Sequence, residues 1–249
     1  MGFHCPECSK QGKQRVYTAR TIMGRGTQPL VTQVLIGINV LVYFATASNT
    51  RFLADYELLG SIRGQLQTGQ IVSIPGLGVA HGEWYRLVTG GFLHANILHL
   101  GMNMFALWIL GSQLEAAVGR LRFTVIYGSA LLAGSFGVMI LSPHEPTVGA
   151  SGAIFGLLGL ALAAQRSQGI NIWQSGLGGI LLINLALTFG IQGISIGGHI
   201  GGLAGGYLCG AVLYELGPRL RNAPLSVVLC GAVGVLSLVG GLIAAGASG

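Results

Sequence analysis

Seven apolar runs, each fifteen to twenty-one residues long, divide this chain, and six of them carry no charged side chain. They cover residues 30–47, 96–114, 123–141, 149–165, 177–191, 197–216 and 225–245, and the single charge within them is Glu215. A helix needs roughly 20 apolar residues to cross the hydrocarbon core of a bilayer. A chain crossing that core must also satisfy its backbone hydrogen bonds internally, which leaves helices as the natural solution for runs of this length. The expectation is therefore an all-α membrane protein. Only 8% of the residues are charged, against about 25% in a soluble domain, so there is little to solvate a water-facing surface. The 43 glycines fit the same reading, because small residues let membrane helices approach closely.

Thirteen Lys and Arg stand against seven Asp and Glu, but the excess is no nucleic-acid signal. The basic residues lie at the chain start or between apolar runs, where they set topology. With the N-terminus in the cytoplasm, the inner segments hold Lys10, Lys13, Arg15, Arg20, Arg25, Arg120, Arg122, Arg166, Arg219 and Arg221, ten of the thirteen. Arg51, Arg63 and Arg86 remain outside, all in the long first loop of residues 48–95. That loop, with Trp84 and Tyr85, is too mixed to cross and reads as a structured interfacial segment. The C-terminus is then outside, and a multi-pass protein of the cell (plasma) membrane is expected.

Residues 1–29 are polar and basic and lack the apolar stretch of a cleavable signal peptide. Cys5 and Cys8 form a CPEC pair there, beside His4. Structural zinc takes four ligands, so these offer half a site, and exposed thiols without a role are the plainer reading. Cys209 and Cys230 lie in apolar runs and read as packing residues.

Ionisable and strongly polar side chains inside a span are expensive, so each is a functional candidate. His99 and Asn103 fall in the second run, Ser151 opens the fourth, Asn184 lies in the fifth and His199 begins the sixth. With the N-terminus inside, the second, fourth and sixth runs all descend from the outer face. His99, Ser151 and His199 therefore share one depth, although the orientation rests on basic residues alone. A serine needs a base to take its proton, and histidine is the usual one. Ser151 and His199 can pair if their helices touch. Gly198, Gly202, Gly206 and Gly210, with Gly152 and Gly156 on the fourth run, provide the small faces for that contact. His99 and Asn103 are four apart on one helix face and, with the Ser151 N–H at a helix start, can supply donors to an oxyanion. The only aspartate, Asp55, is in the long loop, and Glu115 is at the opposite end of its span. The base is thus expected to be oriented by packing and not by a carboxylate.

Each residue also has a plainer reading. Ser151 between glycines could be helix packing, and His199 could satisfy a backbone carbonyl. His94 reads as an interfacial histidine that could shape the site, Asn184 as an interhelix hydrogen bond, and Arg86 and Glu115 as structural.

Gly149-Ala150-Ser151-Gly152 resembles the GxSG nucleophile motif of the rhomboid family, and His99-Leu-Gly-Met-Asn103 resembles its HxxxN oxyanion motif. His199 before a glycine ladder resembles the family's catalytic histidine. Gly111-Ser-Gln-Leu-Glu115 with Gly119-Arg120 is similar to the conserved end of its second helix. Tyr85-Arg86 resembles the Trp-Arg of its first loop, with tyrosine for tryptophan. The resemblance covers roughly residues 30–216 and implies a six-helix core, a Ser151–His199 dyad in a cavity opening outward, and single-span membrane proteins as substrates. It implies no metal or organic cofactor. Residues 217–249 then form a linker and a seventh, C-terminal helix, and the CPEC of residues 1–29 is similar to part of the cytoplasmic zinc-ribbon-like head of some bacterial rhomboids. Two rivals stand beside an intramembrane protease. One is an inactive rhomboid-like protein that binds membrane clients, although such relatives usually lack the serine or histidine. The other is a small transporter, which would want paired charges or broken helices at mid-membrane.

Overall fold

The computed structural model describes residues 28–47, 49–65, 71–74, 76–220 and 223–248. Cys5, Cys8, His4 and the basic residues of the N-terminal segment lie outside the described residues, as does Arg221.

Among the described residues, seven long helices follow the apolar runs: α1 Leu30–Thr46, α2 Ile97–Val118, α3 Arg120–Leu141, α4 Ser151–Ser167, α5 Leu177–Gly190, α6 Ile196–Ala211 and α7 Ala223–Ser248. Four are long and apolar enough to cross a membrane by length and composition: α2, α3, α7 from Pro224, and α6 taken with its continuation to Leu216. Helices α1 and α5 are apolar but shorter. That continuation, Val212–Leu216, is a π-helical turn, and it carries Glu215 to within 3.6 Å of Arg166.

Helix α6 is the centre of the bundle, and its glycines divide into two faces. A Cβ at Gly202 or Gly206 would overlap the carbonyl of Gly152 or Gly156 on α4. A Cβ at Gly197 or Gly201 would collide with the backbone of Gly137 or Ala133 on α3. Side chains would hold these helices apart, whereas glycine lets backbone rest on backbone. Helix α7 packs on α3, where the Ser129 hydroxyl donates to the Cys230 carbonyl at 2.8 Å. Helix α5 lies at the edge of the bundle, with Ile183 and Phe189 among its exposed apolar side chains.

The end of α1 shows how a buried acid earns its place. Pro29 gives this helix no side-chain cap of its own, and Glu115 of α2 supplies one from across the bundle. Its carboxylate accepts from Val31 N at 3.0 Å and from Thr32 N and Oγ1, each at 2.8 Å. Gly111, one turn earlier on α2, faces the same Thr32, and a Cβ there would come within 2.9 Å of it. Helix starts leave N–H groups unsatisfied and favour negative charge, so the carboxylate is well matched to the position.

The first loop contains a short helix, Thr50–Tyr56, and an antiparallel hairpin of β1 (Ile62–Gln65) and β2 (Ile71–Ile74). Arg86, 1% exposed, organises its inner part. The guanidinium donates to Glu83 Oε2 at 2.7 Å and to the Ala54 and Glu57 carbonyls at 2.8 and 2.9 Å. Glu83 in turn accepts from Gly78 N and Tyr85 OH. Burial pushes the Glu83 carboxyl up, but these donors outweigh it and hold the group below its ordinary value. A bridge between Leu58 and Thr147 joins this loop to the segment that leads into Ser151.

Candidate active site

Ser151 is the first residue of α4, after Gly149, whose φ of +127° is open only to glycine among common residues. The lack of a side chain at Gly149 also matters for space. A Cβ there would lie 2.8 Å from His99 Nε2 and 3.6 Å from Ser151 Oγ. His99 is positioned from α2, whose first turn is capped by Asn96 accepting from His99 N at 2.9 Å. His199 sits in the first turn of α6, capped by Ser195 accepting from Gly198 N at 3.1 Å.

Ser151, His99, Asn103 and His199 all line one cavity of about 680 Å³. The four residues singled out by type and depth are thereby brought to one place from three helices. Asn103 is 7% exposed, and its buried Nδ2 has no acceptor among the described residues. A buried donor left unpaired is costly, so this one is available to a group entering the cavity. Ser151 and His199 share the cavity without a hydrogen bond between them. Nucleophile–base contacts are often long before substrate binds.

Two residues that sequence reasoning missed hold the imidazole of His199. Phe155, one turn beyond Ser151 on α4, stacks on it with centroids 3.9 Å apart and planes 15° apart. Thr188 Oγ1 of α5 lies 2.7 Å from His199 Nδ1. Phe155 carried a signal, since i and i+4 share a helix face. Thr188 carried none, because its relevance depends on how α5 lies against α6.

Of the other candidates, only Asn184 reaches the cavity. His94, 2% exposed, meets His99 edge to face with centroids 5.1 Å apart and backs it from outside the cavity lining. Burial first, then the neighbouring His99, holds the His94 imidazole down to about 4, against a smaller upward pull from the Phe92 backbone. Arg86 and Glu115 belong to the loop core and the α1 cap. Gly152 and Gly202 are packing positions between α4 and α6. Asn184 corrects an expectation: its Nδ2 donates to Ile180 O of its own helix at 2.8 Å, not to another helix, and the residue lines the cavity. An amide that can reach the carbonyl one turn back has a partner without crossing to a neighbour.

A helical bundle of this kind, with apolar helices long enough to cross a bilayer and a cavity among them that Ser151, His99, Asn103 and His199 line, defines a multi-pass membrane protein. Residues 81–216, more than half of the chain, match the family model described as the Rhomboid domain. The chain belongs to the rhomboid family. It is 35% identical over 240 residues to rhomboid protease GluP of Bacillus subtilis, an alignment covering 91% of this chain and 43% of that protein. It is 35% identical over 136 residues to the putative rhomboid protease YdcA of the same organism, covering 53% of this chain and 68% of the relative. A third similarity, 36% over 141 residues, is to RHOMBOID-like protein 6, mitochondrial, of Arabidopsis thaliana, covering 54% of this chain and 45% of that one. The chain thus spans less than half the length of GluP.

Proposed function

We propose that this chain is an intramembrane serine endopeptidase that cleaves transmembrane proteins within or beside the bilayer. The observation that carries the reading is the meeting of Ser151, His199, His99 and Asn103 in one cavity. Ser151 Oγ attacks the scissile carbonyl as His199 takes its proton. The oxyanion is received by Asn103 Nδ2, His99 and the Ser151 N–H, donors fixed before the reaction begins. His199 then passes the proton to the leaving amine, and water releases the acyl group by the same route in reverse.

In this reading residues 30–216 form a six-helix protease core and α7, after a linker, is the seventh crossing. Helices α1, α4 and α5 are read as crossing as well, since charged residues are absent from their runs and Arg166, between α4 and α5, then falls on the cytoplasmic side. The distribution of basic residues supports an N-terminus in the cytoplasm and a C-terminus outside, and the reading assigns the protein to the plasma membrane. The substrates are single-span proteins that enter from the lipid.

The test is reaction with a fluorophosphonate probe together with cleavage of a model transmembrane substrate by the purified protein. Wild type is expected to be labelled and to cleave, and Ser151→Ala and His199→Ala to do neither while remaining folded. Cleavage by purified Ser151→Ala overturns the assignment. An unlabelled, inactive wild type favours the client-binding relative instead.

A further inference from the structure

Helix α5 contributes one side-chain hydrogen bond to another long helix among the described residues, and it goes to His199. Thr188, 2% exposed, has its Oγ1 2.7 Å from Asn184 O and 2.7 Å from His199 Nδ1. A hydroxyl has one proton to give. A carbonyl oxygen can only accept, so that proton is committed to Asn184 O. At the second contact Oγ1 must therefore be the acceptor, and His199 Nδ1 must carry hydrogen. The alternative, with Thr188 donating to Nδ1, would leave two oxygen lone pairs facing each other at hydrogen-bond distance.

We infer that Thr188 is a positioning residue that fixes the tautomer of His199, taking the place a carboxylate holds in a Ser-His-Asp triad. With Nδ1 protonated, Nε2 of the neutral imidazole keeps its lone pair, and that nitrogen is the one able to take a proton from Ser151. When the imidazole becomes doubly protonated, Thr188 still accepts from Nδ1. The hydroxyl orients as a triad carboxylate does but adds no charge. Phe155 fixes the ring plane by stacking, and Thr188 fixes rotation within that plane. The two contacts come from different helices, so the orientation of His199 depends on α5 keeping its place beside α6.

The inference rests on the protease reading for its consequence in rate, but not for its structural content, and the experiment separates the two. Thr188→Val keeps the shape and removes the acceptor, and Thr188→Ser restores it. Histidine labelled with ¹⁵N, assigned by comparison with His199→Gln, reports which ring nitrogen carries hydrogen. Wild type and Thr188→Ser are expected to show a protonated Nδ1 and a bare Nε2 at His199, and Thr188→Val a mixture of tautomers. Losing the hydrogen-bond partner of a metal-bound histidine costs roughly 10–100-fold; by analogy, Thr188→Val is expected to lower kcat by about that factor with KM unchanged, and Thr188→Ser to recover most of it. Wild-type tautomer in Thr188→Val overturns the inference. So does equal impairment of the valine and serine variants, which would mark packing as the cause. A wild type that neither cleaves nor reacts with a fluorophosphonate overturns the protease reading instead, and the ¹⁵N comparison still decides the role of Thr188.

Discussion

Phe155 and His199 lie face to face, 3.9 Å between centroids and 15° between planes, although they come from different helices. The contact exists because Gly202 and Gly152 let α6 and α4 meet backbone to backbone. Phe155 is itself held by Leu158 and Leu177, so the surface on which the imidazole rests is not free to turn. In the proposed protease the nucleophile and the support of the base are thus one turn apart on the same helix.

Phe155→Leu is expected to lower kcat more than it changes KM. Leucine fills space but offers no flat face, and misplacement of a catalytic group by about 1 Å can cost on the order of 10²-fold. Phe155→Tyr keeps the ring and is expected to retain more of the rate. Steady-state cleavage by the two variants checks this, and equal rates for leucine and phenylalanine would show that stacking does not orient His199.

Asn103→Ala is expected to cut kcat by about 10²–10³-fold, the usual loss for one oxyanion donor. Its Nδ2 is buried without a partner, so removal disturbs no existing bond and folding is expected to be unchanged. His99→Ala is expected to cost rate as well, and the shared load between the two donors softens each single loss. Single-turnover cleavage beside a thermal melt separates lost chemistry from lost fold. An unchanged kcat for Asn103→Ala would remove it from the oxyanion site.

His94 gives a pH dependence of stability. Its imidazole is held down to about 4 in the fold, against about 6.5 in an unfolded chain. Between those values the unfolded chain binds a proton that the folded protein refuses, so stability is lost as pH falls through this window and is fully present above it. Thermal unfolding in detergent at pH 7 and pH 5 measures the effect. His94→Gln, which does not titrate, is expected to show a smaller drop between the two, and an equal drop would place the titration elsewhere.

How much of this is legible without coordinates depends on whether a residue's role is local. The helix positions follow from the apolar runs, because length and charge exclusion are properties of one segment. The residue types at Ser151, His199, His99 and Asn103 are unusual for a membrane interior, which makes them visible one by one. Thr188 is an ordinary threonine in an apolar helix, and nothing in its neighbours points across to α6. Glu115 reads from sequence only as a structural acid near the end of its own span, whereas in the fold it caps the start of α1. Asn184 differs for the opposite reason. Its partner is the local carbonyl of Ile180, and the sequence reading sends it to another helix. Gly197 and Gly201 form a separate contact with α3, which the spacing of Gly198, Gly202, Gly206 and Gly210 does not announce.

Gly202 allows the closest test of how the site is assembled. A Cβ at Gly202 would overlap the carbonyl oxygen of Gly152, the residue that follows Ser151. Even alanine must therefore push α6 from α4 and carry Ser151 away from His199. Overpacking of this kind costs roughly 1–3 kcal/mol, so Gly202→Ala is expected to melt earlier as well as cleave more slowly. Gly202→Val, larger and branched, is expected to be inactive. Gly128→Ala is the control, because a Cβ there meets nothing within 4 Å, and it is expected to match wild type in both measurements. Activity is to be read on the folded fraction, so that a fall in kcat per folded molecule reports the shift itself. If Gly202→Val cleaves at the normal rate, the glycine contact does not set the separation of Ser151 and His199, and the site must be held together by the loops above it.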